Sequence, residues 1–391
     1  MLPREAPPLD YNLRALDAAL ADPSAPLARP HPNTPGHAKP RRSASTTAAI
    51  SLTLMKMQKP LVALLALPLL YAMAGGGSSG GERSEGYSFA AGVEYLTEAC
   101  ETWRQKRKCV TCHTNGWGLA AQPVIAPKSK EVGLGRAFAQ GYLTGHLSGE
   151  SKRRGQHGSV EGMVATAAFL AMSDARTGTK VHEVTRRGLD HAWSLLDKSG
   201  AWDDWLQCNW PPFESDAEYG PTLMLVALGE LADRAKIKAA DRAGAKRLVR
   251  YLKRNQPMSL HAKAMRLWAA HHWPKATPKK ERTSWHRELL TAQQKDGGWS
   301  MASLAGPTWQ RKGGEPQTPT SEAYPTAFCT YVLLTTGTKR TDPTVLAGLD
   351  WLRTNQKEDG SWHTRSPRRD GKHYISRAAT AFALMALAAD E

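Results

Sequence analysis

The sequence predicts an all-α fold: a closed α/α toroid of about five to six helical hairpins, with no β-sheet of note. Three observations carry this expectation. No stretch of the 391 residues alternates apolar and polar side chains with the period-2 rhythm of a strand. Apolar residues instead recur at helical spacing, in segments that come in pairs. The first of each pair is amphipathic and charged, and the second is rich in Ala, Leu and Thr. A turn containing a glycine and a closing tryptophan recurs at long intervals, the mark of stacked supersecondary units.

That turn is clearest in Gly348–Trp362, GLDWLRTNQKEDGSW. Gly360 can adopt the positive φ that ends a helix cheaply. Gln356 can bond the loose polar groups around that end, and Trp362 can fold back over the last turn and bury its ring. Gly188–Trp202, GLDHAWSLLDKSGAW, repeats the opening GLD and the closing G-x-W at the same spacing. Arg287–Trp299, RELLTAQQKDGGW, repeats the Gln, the Asp-Gly and the Trp. Arg250–Gln256 keeps only the helix end, because Pro257 follows directly.

Taken in order, Tyr87–Lys108 is amphipathic through Phe89, Val93, Leu96, Cys100 and Trp103. Glu131–Leu147 reads as a short extra helix, and Val160–Ala175 is apolar on nearly every side, as a buried helix should be. The remaining pairs are Val181–Asp197 with Glu218–Ala232, Asp241–Gln256 with His261–Trp273, Arg282–Gln294 with Glu322–Thr336, and Pro343–Gln356 with Ile375–Ala389. Charged helices would form an outer ring around an inner one. The long connections 198–216, 300–321 and 363–374 all follow outer helices, so they should gather at one end, where loops on a rigid scaffold commonly carry function.

A hydrophobic share of 41% and a charged share of 23% are those of a globular chain. The net charge is +16. Lys and Arg are spread along helix surfaces without aromatic interleaving, and neither a nucleic-acid motif nor a nucleotide-cofactor motif occurs, so a solvated basic surface is expected. Residues 1–54, rich in Pro, Ala and Ser, read as a disordered extension or a mis-called start. Residues 55–74 have the charged start (Lys56, Lys59), apolar run and Ala72-Met73-Ala74 ending of a secretory signal peptide cleaved near Ala74. Residues 75–86 (GGGSSGGERSEG) form a Gly/Ser linker, and residues 87–391 form the toroid. The expected location is therefore periplasmic or secreted, with no transmembrane anchor after cleavage.

The three G-x-W segments resemble the QW motif of squalene and oxidosqualene cyclases, whose relatives include the protein prenyltransferase β subunits. The likeness spans roughly Tyr87 to Glu391. It implies an α/α toroid with an apolar central cavity, and an isoprenoid or other apolar ligand as the expected occupant. It implies no activity by itself, because toroids serve several purposes.

Cys109-Val110-Thr111-Cys112-His113 reads C-x-x-C-H, the attachment sequence of c-type haem. Two thiols bond the vinyl groups, and the adjacent imidazole rises to the iron. With 5 Cys and 13 His in the chain, random placement gives about 0.002 such motifs. The expectation is one covalent haem c held by Cys109, Cys112 and the metal ligand His113 in the loop 109–113, at one mouth of the ring. Trp117 or another loop aromatic should pack nearby, and a redox partner protein is implied. A Cys109–Cys112 disulfide or an adventitious zinc site are the alternatives. For a sixth iron ligand, Met163, Met172 and Met224 lie on apolar helix faces where Met usually fills core, while His146 and His157 flank the loop.

A cyclase of the resembled family protonates its substrate with an Asp-x-Asp-Asp or Asp-Cys cluster, and neither occurs here. The nearest parallel is Asp216 and Glu218 before an inner helix, which could share a proton if crowded. The plainer alternative is helix capping by Ser215 or Asp216, with Glu218 at the positive end of the dipole. Asp203 and Asp204 read as surface carboxylates. The zinc ligands of prenyltransferases have only Cys208, Cys329 and His373 as counterparts, without matching context. Three functions thus compete: an exported haem toroid for electron transfer or redox sensing, an isoprenoid cyclase-like enzyme using Asp216 and Glu218, and a non-catalytic scaffold with a Cys109–Cys112 disulfide.

Overall fold

A computed structural model of the chain describes residues 86–150, 158–178, 180–202, 205, 210–233 and 237–390. The segments up to residue 85 that the sequence suggests are an extension, a signal peptide and a linker lie outside the described residues, as do His157, Asp203, Asp204 and Cys208. Among the described residues there are thirteen α-helices and no strand. They are α1 (Phe89–Arg107), α2 (Asn115–Ile125), α3 (Lys130–Ser148), α4 (Ser159–Arg176), α5 (Glu183–Ser194), α6 (Tyr219–Asp233) and α7 (Ala239–Arg254). Then follow α8 (Leu260–His272), α9 (Lys279–Thr291), the one-turn α10 (Met301–Leu304), α11 (Ala323–Thr335), α12 (Pro343–Thr354) and α13 (Ile375–Leu387).

Six of these close an inner ring, each packed on the next: α2, α4, α6, α8, α11 and α13, with α13 returning to α2. The outer helices α1, α3, α5, α7, α9 and α12 precede them in the chain, one to each inner helix, and α1 also packs on α13 across the seam. The fold is an α/α toroid of six hairpins. Burial follows the sequence pattern: nearly every side chain of α4 and α13 is buried, whereas α5 buries only Thr185, Gly188, Leu189 and Ala192.

The sixth hairpin is not the one the sequence suggests. The segment Asn115–Ile125 behind the C-x-x-C-H motif is itself an inner helix, buried along almost its whole length, and Lys130–Ser148 is the outer partner of α4. Gly116, Gly118 and Pro123 weaken the helical signal of α2, but the glycines are needed for packing. A Cβ on Gly116 would lie 2.5 Å from the Phe169 ring, and one on Gly118 would lie 2.3 Å from Cys100 Sγ.

The Gly–Trp turns do the same job three times. Trp202, Trp299 and Trp362 are buried, and each indole N–H donates to the carbonyl ten residues earlier: Ala192 at 3.0 Å, Leu289 at 2.8 Å and Leu352 at 2.8 Å. The glycine two residues before each Trp has positive φ and presses on the next outer helix: Gly200 on Arg247 O, Gly297 on Ala347 O, Gly360 on Ala91 O. Gln356 closes the ring. Its Oε1 accepts from Ser88 N at 2.8 Å, and its Nε2 donates to Ser88 O at 2.8 Å and to Gly360 O at 3.0 Å.

Because every inner helix follows an outer one, the six inner helices run parallel. Their N-termini share one mouth and their C-termini the other. Carbonyl ends favour a cation, and the C-terminal mouth supplies Arg176. It donates to Glu230 at 2.7 and 2.8 Å, to Ala120 O at 2.8 Å and to Tyr331 OH at 3.1 Å, reaching α6, α2 and α11 from α4.

Candidate functional site

The C-x-x-C-H turn joins α1 to α2, at the N-terminal mouth, in the position where other hairpins place their Gly–Trp turn. It leaves α1 through Lys108, which takes a left-handed φ of 51°. Asn115 then braces the turn from the first residue of α2: its Nδ2 donates to Cys109 O at 2.9 Å, and its Oδ1 accepts from Thr111 N at 3.0 Å. The amide of Gly116 adds a bond to Thr111 O at 3.0 Å. A side chain at residue 116 would push on that same carbonyl.

Cys109 and Cys112 are buried, and neither is in a disulfide. His113 is partly buried, and its Nδ1 is hydrogen-bonded to Thr114 Oγ1 at 2.8 Å. Its ring stacks on Tyr374 (5.3 Å, 20°), meets Trp103 edge-on (4.9 Å, 88°) and lies 6.5 Å from Trp210. Burial, then the charges of Arg377 and Arg107, push its pKa down to about 3, so the imidazole is neutral. Trp117 does not join this box. It is turned into the ring centre against Phe169, Trp268 and Phe382.

Four guanidinium groups lie over the rings of the box. Arg107 and Arg377 sit 5.7 and 5.3 Å from the Trp103 centroid, and Arg377 is 5.2 Å from that of Tyr374. Arg368 and Arg369 sit 5.0 and 5.9 Å from Trp210. Such contacts favour cations through the ring quadrupole.

Carboxyl groups crowd the same mouth: Glu161, Glu214, Asp216, Glu218 and Glu322 all stand at or just before the first turn of an inner helix, where the dipole favours an anion. Asp216 and Glu218 do not bond each other. Asp216 accepts from Ser259 Oγ at 2.7 Å and Thr308 Oγ1 at 3.2 Å, and burial raises its pKa. Glu218 is bound bidentately by the buried Arg266, at 2.7 and 2.6 Å. Burial raises the pKa of Glu218, while Arg266 lowers it. Glu218, directly before the first residue of α6, is tied by this pair to α8. The carboxyl pair that does share a hydrogen bond is Glu161 with Glu214, whose pKa burial raises. Burial lifts Glu322 to about 7, against the bond from Arg365 N–H at 2.8 Å.

The ring centre below the mouth is filled with aromatic side chains. His261 Nε2 is hydrogen-bonded to Tyr324 OH at 2.9 Å, and its ring stacks on Phe328 at 4.5 Å. Trp117, Trp268, Phe382 and Tyr331 continue the stack towards Arg176. Met163, Met172 and Met224 are buried core residues, and His146 packs on Tyr142 at 4.8 Å. Cys329 is buried in α11, and His373 Nδ1 accepts from Ser366 N at 3.0 Å. No group of three or more metal-binding side chains occurs among the described residues.

Sequence reasoning reached the motif and missed its surroundings. Trp103, Trp210 and Tyr374 come from three distant segments, and the arginines beside them look like ordinary surface charge in the linear chain. Asn115, two residues past the motif, was the available signal, since Asn readily bonds neighbouring backbone.

No protein-family model and no curated protein matches the sequence. Among solved structures the chain is similar to a glycosidase variant at a TM-score of 0.50 and 14% identity, covering 77% of this chain and 97% of that one. It is also similar to the type II terpene cyclase MstE from Scytonema (TM-score 0.46, 12% identity, 77% and 98% covered). A third similar structure is an unsaturated glucuronyl hydrolase from Bacillus sp. GL1 (TM-score 0.46, 11% identity, 77% and 96% covered). At these identities the likeness is one of fold, and the function must be argued from the site.

Proposed function

We propose that this chain is an exported redox protein carrying one covalent c-type haem at the N-terminal mouth of the toroid. Cys109 and Cys112 would bond the two vinyl groups, and His113 would present Nε2 to the iron. The observation that carries this reading is the state of the triplet. Both thiols are buried in a turn that Asn115 braces, and the neutral imidazole is held through Nδ1, the second-shell bond that orients a ligating histidine. The donor set, two thiols and an imidazole in C-x-x-C-H order, is the chemistry that such a group requires. When bound, it supplies one-electron chemistry. The chain's own part is to brace the turn through Asn115, to hold the imidazole neutral, and to wall the site with Trp103, Trp210 and Tyr374. The signal-like segment ending near Ala74 supports export to the periplasm or beyond, and a redox partner protein would take or give the electron.

The test is to co-express the chain with a haem-maturation system and measure its visible spectrum after denaturation and acid extraction. Covalent pigment is expected in the wild type and lost in Cys112→Ala. A colourless wild-type protein rejects the reading.

A second reading has one specific observation behind it: Asp216 is a buried acid with a raised pKa, bonded to Ser259 at the edge of an aromatic-lined centre. Aromatic faces stabilise cations, but Tyr324, Phe328, Trp268 and Phe382 fill the centre in place of the apolar cavity expected from the resemblance, so an isoprenoid would have to meet Asp216 from the mouth. Glu218, held by Arg266, would position the neighbourhood and not deliver the proton. Product formation from a polyprenyl substrate, abolished by Asp216→Asn, would support this reading, and no turnover by the wild type would reject it.

A further inference from the structure

A recess at the opposite end of the ring, on the C-terminal rim, is lined mostly by cations. It runs between the end of α8, the start of α9 and the turn from α11 to α12, as two hollows of about 380 and 340 Å³ that share His286 and Thr336. The larger is walled by Leu267 and His271 of α8 and by Lys279, Arg282 and Thr283 of α9. The smaller is walled by the turn, through Thr338, Lys339, Thr341 and Asp342. His286 Nε2 is hydrogen-bonded to Thr338 Oγ1 at 2.9 Å and so ties the turn to α9.

Among the described residues, none of Lys279, Arg282 and Lys339 is ion-paired with a carboxylate, whereas their neighbours Lys263 and Arg340 hold Glu288 and Asp390. Arg282 also has its Nε buried without a hydrogen-bond partner, a state that costs free energy until something accepts from it. Among the described residues the one carboxylate lining the recess is Asp342, and it is committed elsewhere: its Oδ1 caps α12 by accepting from Thr344 N at 2.9 Å. The end of α11 does not account for the cations. Gly337 N donates to Leu334 O at 3.2 Å and Thr338 N to Leu333 O at 3.0 Å, so those carbonyls are covered by their own turn. The start of α9, which no side chain caps, adds the positive end of a dipole.

Like charges held together cost free energy unless a counter-charge arrives. The hollows have the volume of small-molecule sites, and ammonium, guanidinium, imidazole and hydroxyl donors converge on them from separate elements. Phosphoryl oxygens accept from that mixture at a helix start. None of the exposed large apolar side chains lines the recess, so it presents nothing to insert into a bilayer. We infer that this recess binds a small free molecule bearing a phosphate or diphosphate group, with Lys279, Arg282 and Lys339 on the phosphoryl oxygens. The site stands apart from the C-x-x-C-H turn and does not depend on haem.

The experiment is calorimetric titration of the whole chain with inorganic pyrophosphate, at low salt and without divalent cations. Saturable binding at one site is expected, weakening as salt rises and about tenfold or more weaker in Lys279→Gln/Arg282→Gln. Arg187→Gln/Lys246→Gln removes the same charge from exposed positions on α5 and α7 and should bind as the wild type does. No saturable binding by the wild type would overturn the inference. So would equal weakening in the two double variants, because the effect would then be one of net charge. Co-sedimentation with phosphatidylglycerol-containing vesicles separates the two sources of phosphate, and no sedimentation is expected. Sedimentation that Lys279→Gln/Arg282→Gln abolishes, without pyrophosphate binding, would assign the recess to a lipid headgroup and overturn the free ligand. If the double variant does not fold, Lys339→Gln, in an exposed part of the turn, carries the same comparison.

Discussion

His261 is 1% exposed, hydrogen-bonded to Tyr324 and stacked on Phe328, and burial lowers its pKa to about 3. An unfolded histidine titrates near 6.5. Below that value the unfolded chain takes up a proton that the native ring refuses until pH falls to about 3. Stability is therefore lost as pH drops through this window. The loss is about 1 kcal/mol from this residue one unit below the unfolded pKa. Urea unfolding between pH 7 and 5 should show the fall, and His261→Gln should remove this residue's share while leaving that of His113, also lowered to about 3. Gly360 works through sterics instead. With φ at 81° and a built Cβ only 2.2 Å from Ala91 O, Gly360→Ala strains both its own backbone and the seam with α1. A loss of about 2 kcal/mol or more in unfolding free energy is expected, read from a lower urea midpoint at unchanged slope.

Among elements, α6 and α8 are coupled by charge as well as by packing. Arg266 is 2% exposed and holds both oxygens of Glu218, and it also reaches the carbonyl of Asn255 at the end of α7. Removing one member of a buried pair leaves the other charged and dry, at about 3–5 kcal/mol. Arg266→Met should therefore destabilise by that order in chemical denaturation. Glu218→Gln combined with Arg266→Met should recover part of the loss. If the double change is as costly as the sum of the singles, the pair is not acting as a unit. The turns after α5, α9 and α12 show the same economy at element scale: one glycine and one tryptophan end a helix, seat the next and cover the core between them.

For the whole molecule, parallel inner helices give the two mouths opposite electrical character. The N-terminal mouth gathers carboxyl groups at helix starts, together with the C-x-x-C-H turn. The C-terminal mouth is bridged by Arg176, which bonds residues of three other inner helices. Arg176→Met should strand Glu230 and the Ala120 carbonyl and cost about 3 kcal/mol, read as a lower Tm.

Much of the architecture was written in the linear chain, because it depends on local rules. The 3.6-residue period separates charged outer helices from apolar inner ones, and Gly360, Trp362 and Gln356 already specify how a helix ends and where its neighbour sits. The motif Cys109–His113 is likewise a local pattern, fixed by the span of two thiols and an imidazole. Only the tertiary structure could decide that Asn115–Ile125 is an inner helix, since Gly116 and Gly118 lower its intrinsic propensity and are explained only by what they touch. Only it could tie Glu218 to Arg266, pair Glu161 with Glu214, and bring Trp103, Trp210 and Tyr374 around one imidazole. Those contacts join residues far apart in sequence, and closing the ring is what sets their distances.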